Sequence, residues 1–226
     1  NRDGAVFNST DHRNLYWDVE YDYNLDGMTI RKLEAILLGQ QSEETPVVLE
    51  STRYDNLYIF FVGHGSKRGV AIAVGTAHEA EQGGYTESFR PLDLAYIMDT
   101  LYADQRFNRS FITIEACHGG VMGKELTTPG VLLMAAATEN ENSLSAEYDP
   151  TRRIWMADQF ARNLSTTLPE LGLMTFRDLF SELYLSVSGS HVTMANEGEF
   201  GDIFSLRPDE FFLPSSVGHQ SGGATD

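Results

Sequence analysis

The stretch Leu57-Tyr58-Ile59-Phe60-Phe61-Val62-Gly63-His64-Gly65-Ser66 decides the fold. Its apolar and aromatic residues run without a polar break and stop at a Gly-His-Gly turn. An unbroken apolar run of this length predicts a strand buried on both faces, as in a parallel sheet covered by helices. Ser110-Phe111-Ile112-Thr113-Ile114 predicts a second strand, ending at Glu115-Ala116-Cys117-His118-Gly119-Gly120. Between the two, Pro91 to Asp104 predicts a helix with Leu94, Ile97, Met98 and Leu101 on one stripe. A right-handed crossover through such a helix leaves the two strands parallel and adjacent. Their carboxyl ends, carrying His64 and Cys117, then share the sheet edge at which α/β proteins bind ligands.

Working outward, residues 1–28 are polar and turn-rich. Thr29 predicts the N-cap of a helix bearing Ile30, Leu33, Ile36 and Leu37, stopped at Gly39. Val70 to Val74 predicts a short strand, followed by a glycine-rich loop through Gly84. Gly130 to Ala137 predicts a third sheet strand, and His191-Val192-Thr193 a last short one. Ile154 to Leu164 and Thr175 to Leu185 predict helices. Residues 1–213 read as one α/β domain with a mainly parallel sheet, and 214–226 as a flexible tail.

The chain has 226 residues, 42% hydrophobic and 11% aromatic, enough for a substantial core without a disulfide or metal staple. Its net charge of −17 argues against a nucleic-acid binder, which needs a basic face, and against docking on anionic lipid. No apolar run is long enough to predict a direct membrane span. Cys117 is the single cysteine, which excludes an internal disulfide. Sequons at Asn8, Asn108 and Asn163 permit glycosylation on a secretory route. The chain starts at Asn1 with no visible signal peptide, which reads as a trimmed fragment whose targeting segment is gone.

The pairing of Cys117 with His64 suggests nucleophilic catalysis. A thiolate attacks a carbonyl far better than a thiol, and an imidazole can generate it and later protonate the leaving group. Glycines on both sides of His64 and two residues after Cys117 let a substrate backbone approach closely, and the Gly65 and Cys117 amides are candidate oxyanion donors. A cysteine at a strand end is also often just a small buried hydrophobe, so the pair argues more strongly than either member.

Ile59 to Gly65 and Ile112 to Cys117 resemble the His-Gly and Glu-Ala-Cys blocks of the legumain family of cysteine peptidases. More distantly they resemble caspases, whose histidine also lies about 50 residues before the cysteine. Asp22-Tyr23 with Met28-Thr29 and Leu37-Leu38-Gly39, Ala135 to Thr138, Asn142 to Ser145 and Gly189 to Val192 extend the resemblance over about residues 20–212. Asp149-Pro150 and Met156-Ala157-Asp158 are similar to the related GPI transamidase catalytic subunit. The resemblance implies a caspase-like fold and cleavage after asparagine, sometimes aspartate, with ligation or transamidation in some members. It makes His64 the catalytic histidine and Cys117 the nucleophile, with Gly65 as an oxyanion donor. It assigns Glu115, Asp158 and nearby Ser143 to the substrate-binding pocket for asparagine, whose side-chain NH2 offers two donors. The sequons and the acidic pI of about 4.6 suit a secretory or lysosomal/vacuolar location.

The departures are specific. Gly63 stands where legumains carry Asp, as in the transamidases, and His118 stands where legumain has Glu after the nucleophile. No segment matches the family's N-terminal strand–helix–strand, so that part of the fold is expected to be missing from this chain or to reside in a separate chain or complex. Without it the sheet is expected to have an exposed edge. Asp22 to Gly27 begins like a calcium loop, but its twelfth position is Leu33, and an Asx-rich turn explains the same residues. The other histidines lack zinc spacing, and no cofactor is expected. Three readings follow: a legumain-like endopeptidase acting on a peptide or protein substrate, a transamidase-type enzyme, and a noncatalytic scaffold on a peptidase fold.

Overall fold

A computed structural model describes residues 19–24, 27–72 and 87–212. The glycine-rich loop expected through Gly84, part of the calcium-like stretch and the expected tail lie outside these residues. Strands β1 (Asn56–Val62), β5 (Arg109–Glu115), β6 (Val131–Ala135) and β9 (Thr193–Ala195) form the central sheet in the order β1-β5-β6-β9. The first two pairings are parallel and the last is antiparallel. Helix α2 (Pro91–Ala103) makes the expected crossover from β1 to β5. Helix α1 (Ile30–Leu37) starts at Thr29, whose hydroxyl accepts from the Lys32 amide at 3.1 Å. It is followed by Gly39 at φ +72°, the left-handed stop that glycine tolerates.

Alternation along the central strands builds two cores. Ile112, Ile114, Val131, Leu133 and Ala135 face Leu94, Ile97, Met98 and Leu101 of α2. Phe111, Leu132 and Met134 face the other way, onto Phe160 and Leu164 of α3 (Gln159–Thr167) and Phe176, Leu179 and Leu183 of α4 (Phe176–Ser186). Phe111 and Phe176 meet edge-on, with ring centroids 5.0 Å apart. Each such fully buried side chain contributes roughly 1.5–3 kcal/mol relative to exposure. This is a caspase-like α/β arrangement: a mainly parallel sheet with helices on both faces.

Two expectations are corrected. β1 is not buried on both faces: Phe60 is 40% and Val62 58% exposed. It is an edge strand, because among the described residues no strand pairs on its far side. The helix expected from Ile154 starts only at Gln159; Ile154–Asp158 is strand β8, antiparallel to β7 (Ser145–Asp149). The cross-strand rings of Tyr148 and Trp155, 5.1 Å apart, and a turn with Arg153 at φ 57° hold this hairpin against helical propensity. A small antiparallel sheet of β2 (Gly65–Ser66), β3 (Gly69–Ile72) and β4 (Glu87–Phe89) rises from the end of β1, and β3 is the described part of the expected 70–74 strand.

Candidate active site

The register of β1 on β5 pairs Val62 with Glu115, so both strands release their loops at the same level. The Gly63 amide extends the ladder by donating to the Glu115 carbonyl at 3.1 Å. One residue beyond exposed His64, Gly65 is pressed against the other loop. A Cβ built on Gly65 would lie 2.0 Å from the Cys117 carbonyl oxygen and 2.9 Å from the Ala116 Cβ. Only glycine fits such a close approach. The backbone therefore brings the residues flanking His64 directly alongside Ala116 and Cys117.

Cys117 is a free, half-buried thiol. Its Sγ lies 3.8 Å from both the carbonyl oxygen and the hydroxyl of Ser143, in the loop between β6 and β7. His118 then turns the chain through the left-handed region at φ 59°. Its amide donates to the Glu141 carbonyl at 2.7 Å, and its Nδ1 lies 2.9 Å from the Glu139 carbonyl oxygen. The imidazole next to Cys117 thus faces the 138–143 loop.

Glu115 ends β5 and is 1% exposed. Its Oε2 accepts from the Ala161 amide at 2.8 Å, in the first turn of α3, where anions are favoured. It thereby takes the place of a cap, since the N-cap residue Asp158 makes no side-chain cap bond of its own. Asp158 instead accepts from the Ser145 hydroxyl at 3.3 Å. Burial is the chief cause that pushes the Glu115 carboxyl up to about 7; the nearby Asp158 charge adds to this, and the bonds from Ala161 and Ser143 oppose it. Ser143 approaches closely enough to favour the ionised form slightly, yet Oε1 is buried with no bond of good geometry. A carboxyl oxygen with an unmet bond, a second carboxylate and a hydroxyl are a donor–acceptor set suited to a primary amide.

Of the residues singled out from the sequence, the structure sets Gly65 against the Cys117 backbone, Ser143 beside Cys117 Sγ, and Ser143 and Asp158 near Glu115, while His64 is the exposed residue that precedes Gly65. A carboxylate–imidazole contact between Glu141 and His191, 2.5 Å apart, was not legible beforehand. The two residues are 50 positions apart and neither carries a local motif. Among the described residues no group of three or more His, Cys, Asp or Glu is placed to hold a metal. Nor is any described helix long and apolar enough to cross a membrane.

The chain is 24% identical over 211 residues to the GPI-anchor transamidase of Mus musculus, covering 91% of this chain and 49% of that protein. It is 26% identical over 211 residues to the GPI-anchor transamidase of Sus scrofa, with the same coverage. It is also 23% identical over 147 residues to the vacuolar-processing enzyme delta-isozyme of Arabidopsis thaliana, covering 64% of this chain and 29% of that protein. The chain thus spans about half the length of these transamidases. The peptidase C13 family matches residues 1–203, and the chain belongs to that family of cysteine peptidase-type hydrolases.

Proposed function

We propose that the protein is a cysteine-type acyl-transfer enzyme that cleaves peptide bonds after asparagine, in the manner of legumain, through Cys117 and His64. His64 takes the Cys117 proton, and Sγ attacks the carbonyl carbon following the asparagine side chain. The carbonyl electron pair moves to oxygen, where the amides of Gly65 and Cys117 hold the oxyanion. Collapse breaks the C–N bond, and His64 protonates the departing amine. The remaining thioester is hydrolysed by a water that gives its proton back through His64. Glu115, Asp158 and Ser143 accept the asparagine side-chain amide. The observation that carries this reading is the common level of the β1 and β5 ends, with Gly65 in contact with the Cys117 backbone.

A fluorogenic peptide ending in asparagine, incubated from about pH 5 to 7.5, tests it. Turnover that disappears in Cys117→Ala supports the reading; turnover that survives the substitution contradicts it. A second reading, in which an amine replaces water as acceptor, is favoured by the likeness to GPI-anchor transamidases over nine-tenths of the chain and by Gly63 before the histidine. Adding hydroxylamine to the same assay diverts the thioester to a hydroxamate if amines compete well with water. The vacuolar-processing relative and the three sequons support a secretory or lysosomal/vacuolar location. The open edge of β1 supports completion of the sheet by a further strand, from a partner chain or a complex.

A further inference from the structure

The 138–143 loop, which brings Ser143 to Cys117, is stitched to two neighbours. On one side it meets the Cys117 loop: the His118 amide donates to the Glu141 carbonyl, and the Gly120 amide donates to the Ala137 carbonyl at 2.9 Å. On the other side it meets the segment entering β9. There the Ser190 hydroxyl donates to the Ala136 carbonyl at 2.9 Å, and Leu144 occupies the space beside Gly189. Glu141 is the junction of both seams. Its carbonyl holds His118, while its carboxylate accepts from the Thr138 hydroxyl at 3.0 Å and the His191 amide at 3.1 Å and contacts His191 Nδ1. The bond from His191 is the chief reason the Glu141 carboxyl lies far down, at about 2.

We infer that Glu141 and His191 are a positioning pair that clamps the 138–143 loop, and with it Ser143, against Cys117. Neither residue touches the reacting atoms. This inference rests on the reading of Cys117 as the nucleophile and names what holds its surroundings. The loop also meets the Cys117 turn through His118 Nδ1 at the Glu139 carbonyl, the Lys124–Glu139 ion pair and the Sγ–Ser143 contacts, and the Glu141 carboxylate ties that seam to His191 on the opposite side. The His191 side chain is mostly exposed, so its removal leaves the core intact. A small displacement of an active-site loop is enough to cost catalysis heavily.

The test compares wild type with His191→Ala and His191→Asn. An asparagine amide nitrogen takes nearly the place of imidazole Nδ1 and still donates to Glu141. The expected result is a loss of roughly ten-fold or more in kcat/KM for the asparagine peptide in His191→Ala, at an unchanged Tm, with recovery in His191→Asn. The hydrogen-exchange rate of the His118 amide rises in the first variant and not in the second. Activity of His191→Ala close to wild type, or a loss that His191→Asn does not repair, overturns the pairing. If the wild type shows no Cys117-dependent turnover, the function reading fails by itself, and the His118 amide then decides this one. Faster exchange in His191→Ala, reversed in His191→Asn, supports the clamp; equal exchange in all three rejects it. Should His191→Ala not fold, Glu141→Gln, which keeps one acceptor oxygen and removes the charge, is read in the same way.

Discussion

Strands β1 and β5 look alike as strings of residues, lie side by side in register, and each ends in one half of the candidate site. Their surroundings differ. β5 has a neighbour on both sides and is buried from Ser110 to Glu115. Among the described residues β1 has one neighbour, and its Phe60 and Val62 stand open. The cysteine loop therefore grows from an enclosed strand and is pinned by His118, Gly119 and Gly120 amides. The histidine loop grows from an edge and is pinned through Gly63, His64 and Gly65 to β5 and β3. An unbroken apolar run reports that a strand expects apolar neighbours; it does not report how many of them are present.

The largest effect is expected where β5 ends. Cys117→Ala lowers turnover of an asparagine peptide roughly 10³-fold or more while leaving the thermal transition nearly unchanged. Steady-state kinetics beside a melting curve checks both halves. Next, Phe111→Ala in β5 destabilises the fold by about 3–5 kcal/mol, because it empties a site closed by Phe176 and Phe211. Urea denaturation measures it; a cost like that of a surface site would break the contrast between the strands.

A third expectation concerns Glu115 and pH. Its carboxyl is raised from 4.5 to about 7 in the fold, so folding favours the protonated form. That contribution is present below about 4.5 and is lost as pH rises toward 7, amounting to about 3 kcal/mol at 1.4 kcal/mol per unit. Glu115→Gln removes the slope, so urea stability at a series of pH values between 4.5 and 8 diverges from wild type toward the alkaline end. Equal slopes would mean that the carboxyl is better solvated than its burial implies. The smallest effect belongs to β1: Phe60→Ser changes stability by less than about 1 kcal/mol.

Much of this was legible in the sequence because it is local. The Leu57–Val62 and Ser110–Ile114 runs, the 91–104 stripe, the Thr29 cap and the helix from Thr175 each declare themselves within a few residues. The β7–β8 hairpin did not. Its pairing depends on Glu147 and Arg153 adopting positive φ, which non-glycine residues rarely signal, and Trp155 to Asp158 lie directly before a true helix. The exposure of β1 was not legible in its composition, which alone predicts burial. The Glu141–His191 contact joins segments that meet only after β6 and β9 have paired.

The central claim is that the two strand ends form one reacting centre. It is tested most directly with a peptidyl chloromethyl ketone bearing asparagine, following adduct formation on the intact protein by mass. The account predicts a single adduct on Cys117 in wild type, absent in Cys117→Ala and formed at least roughly 100-fold more slowly in His64→Ala. An adduct that forms as fast without His64 as with it would contradict the account, leaving Cys117 an ordinary thiol beside an unrelated histidine.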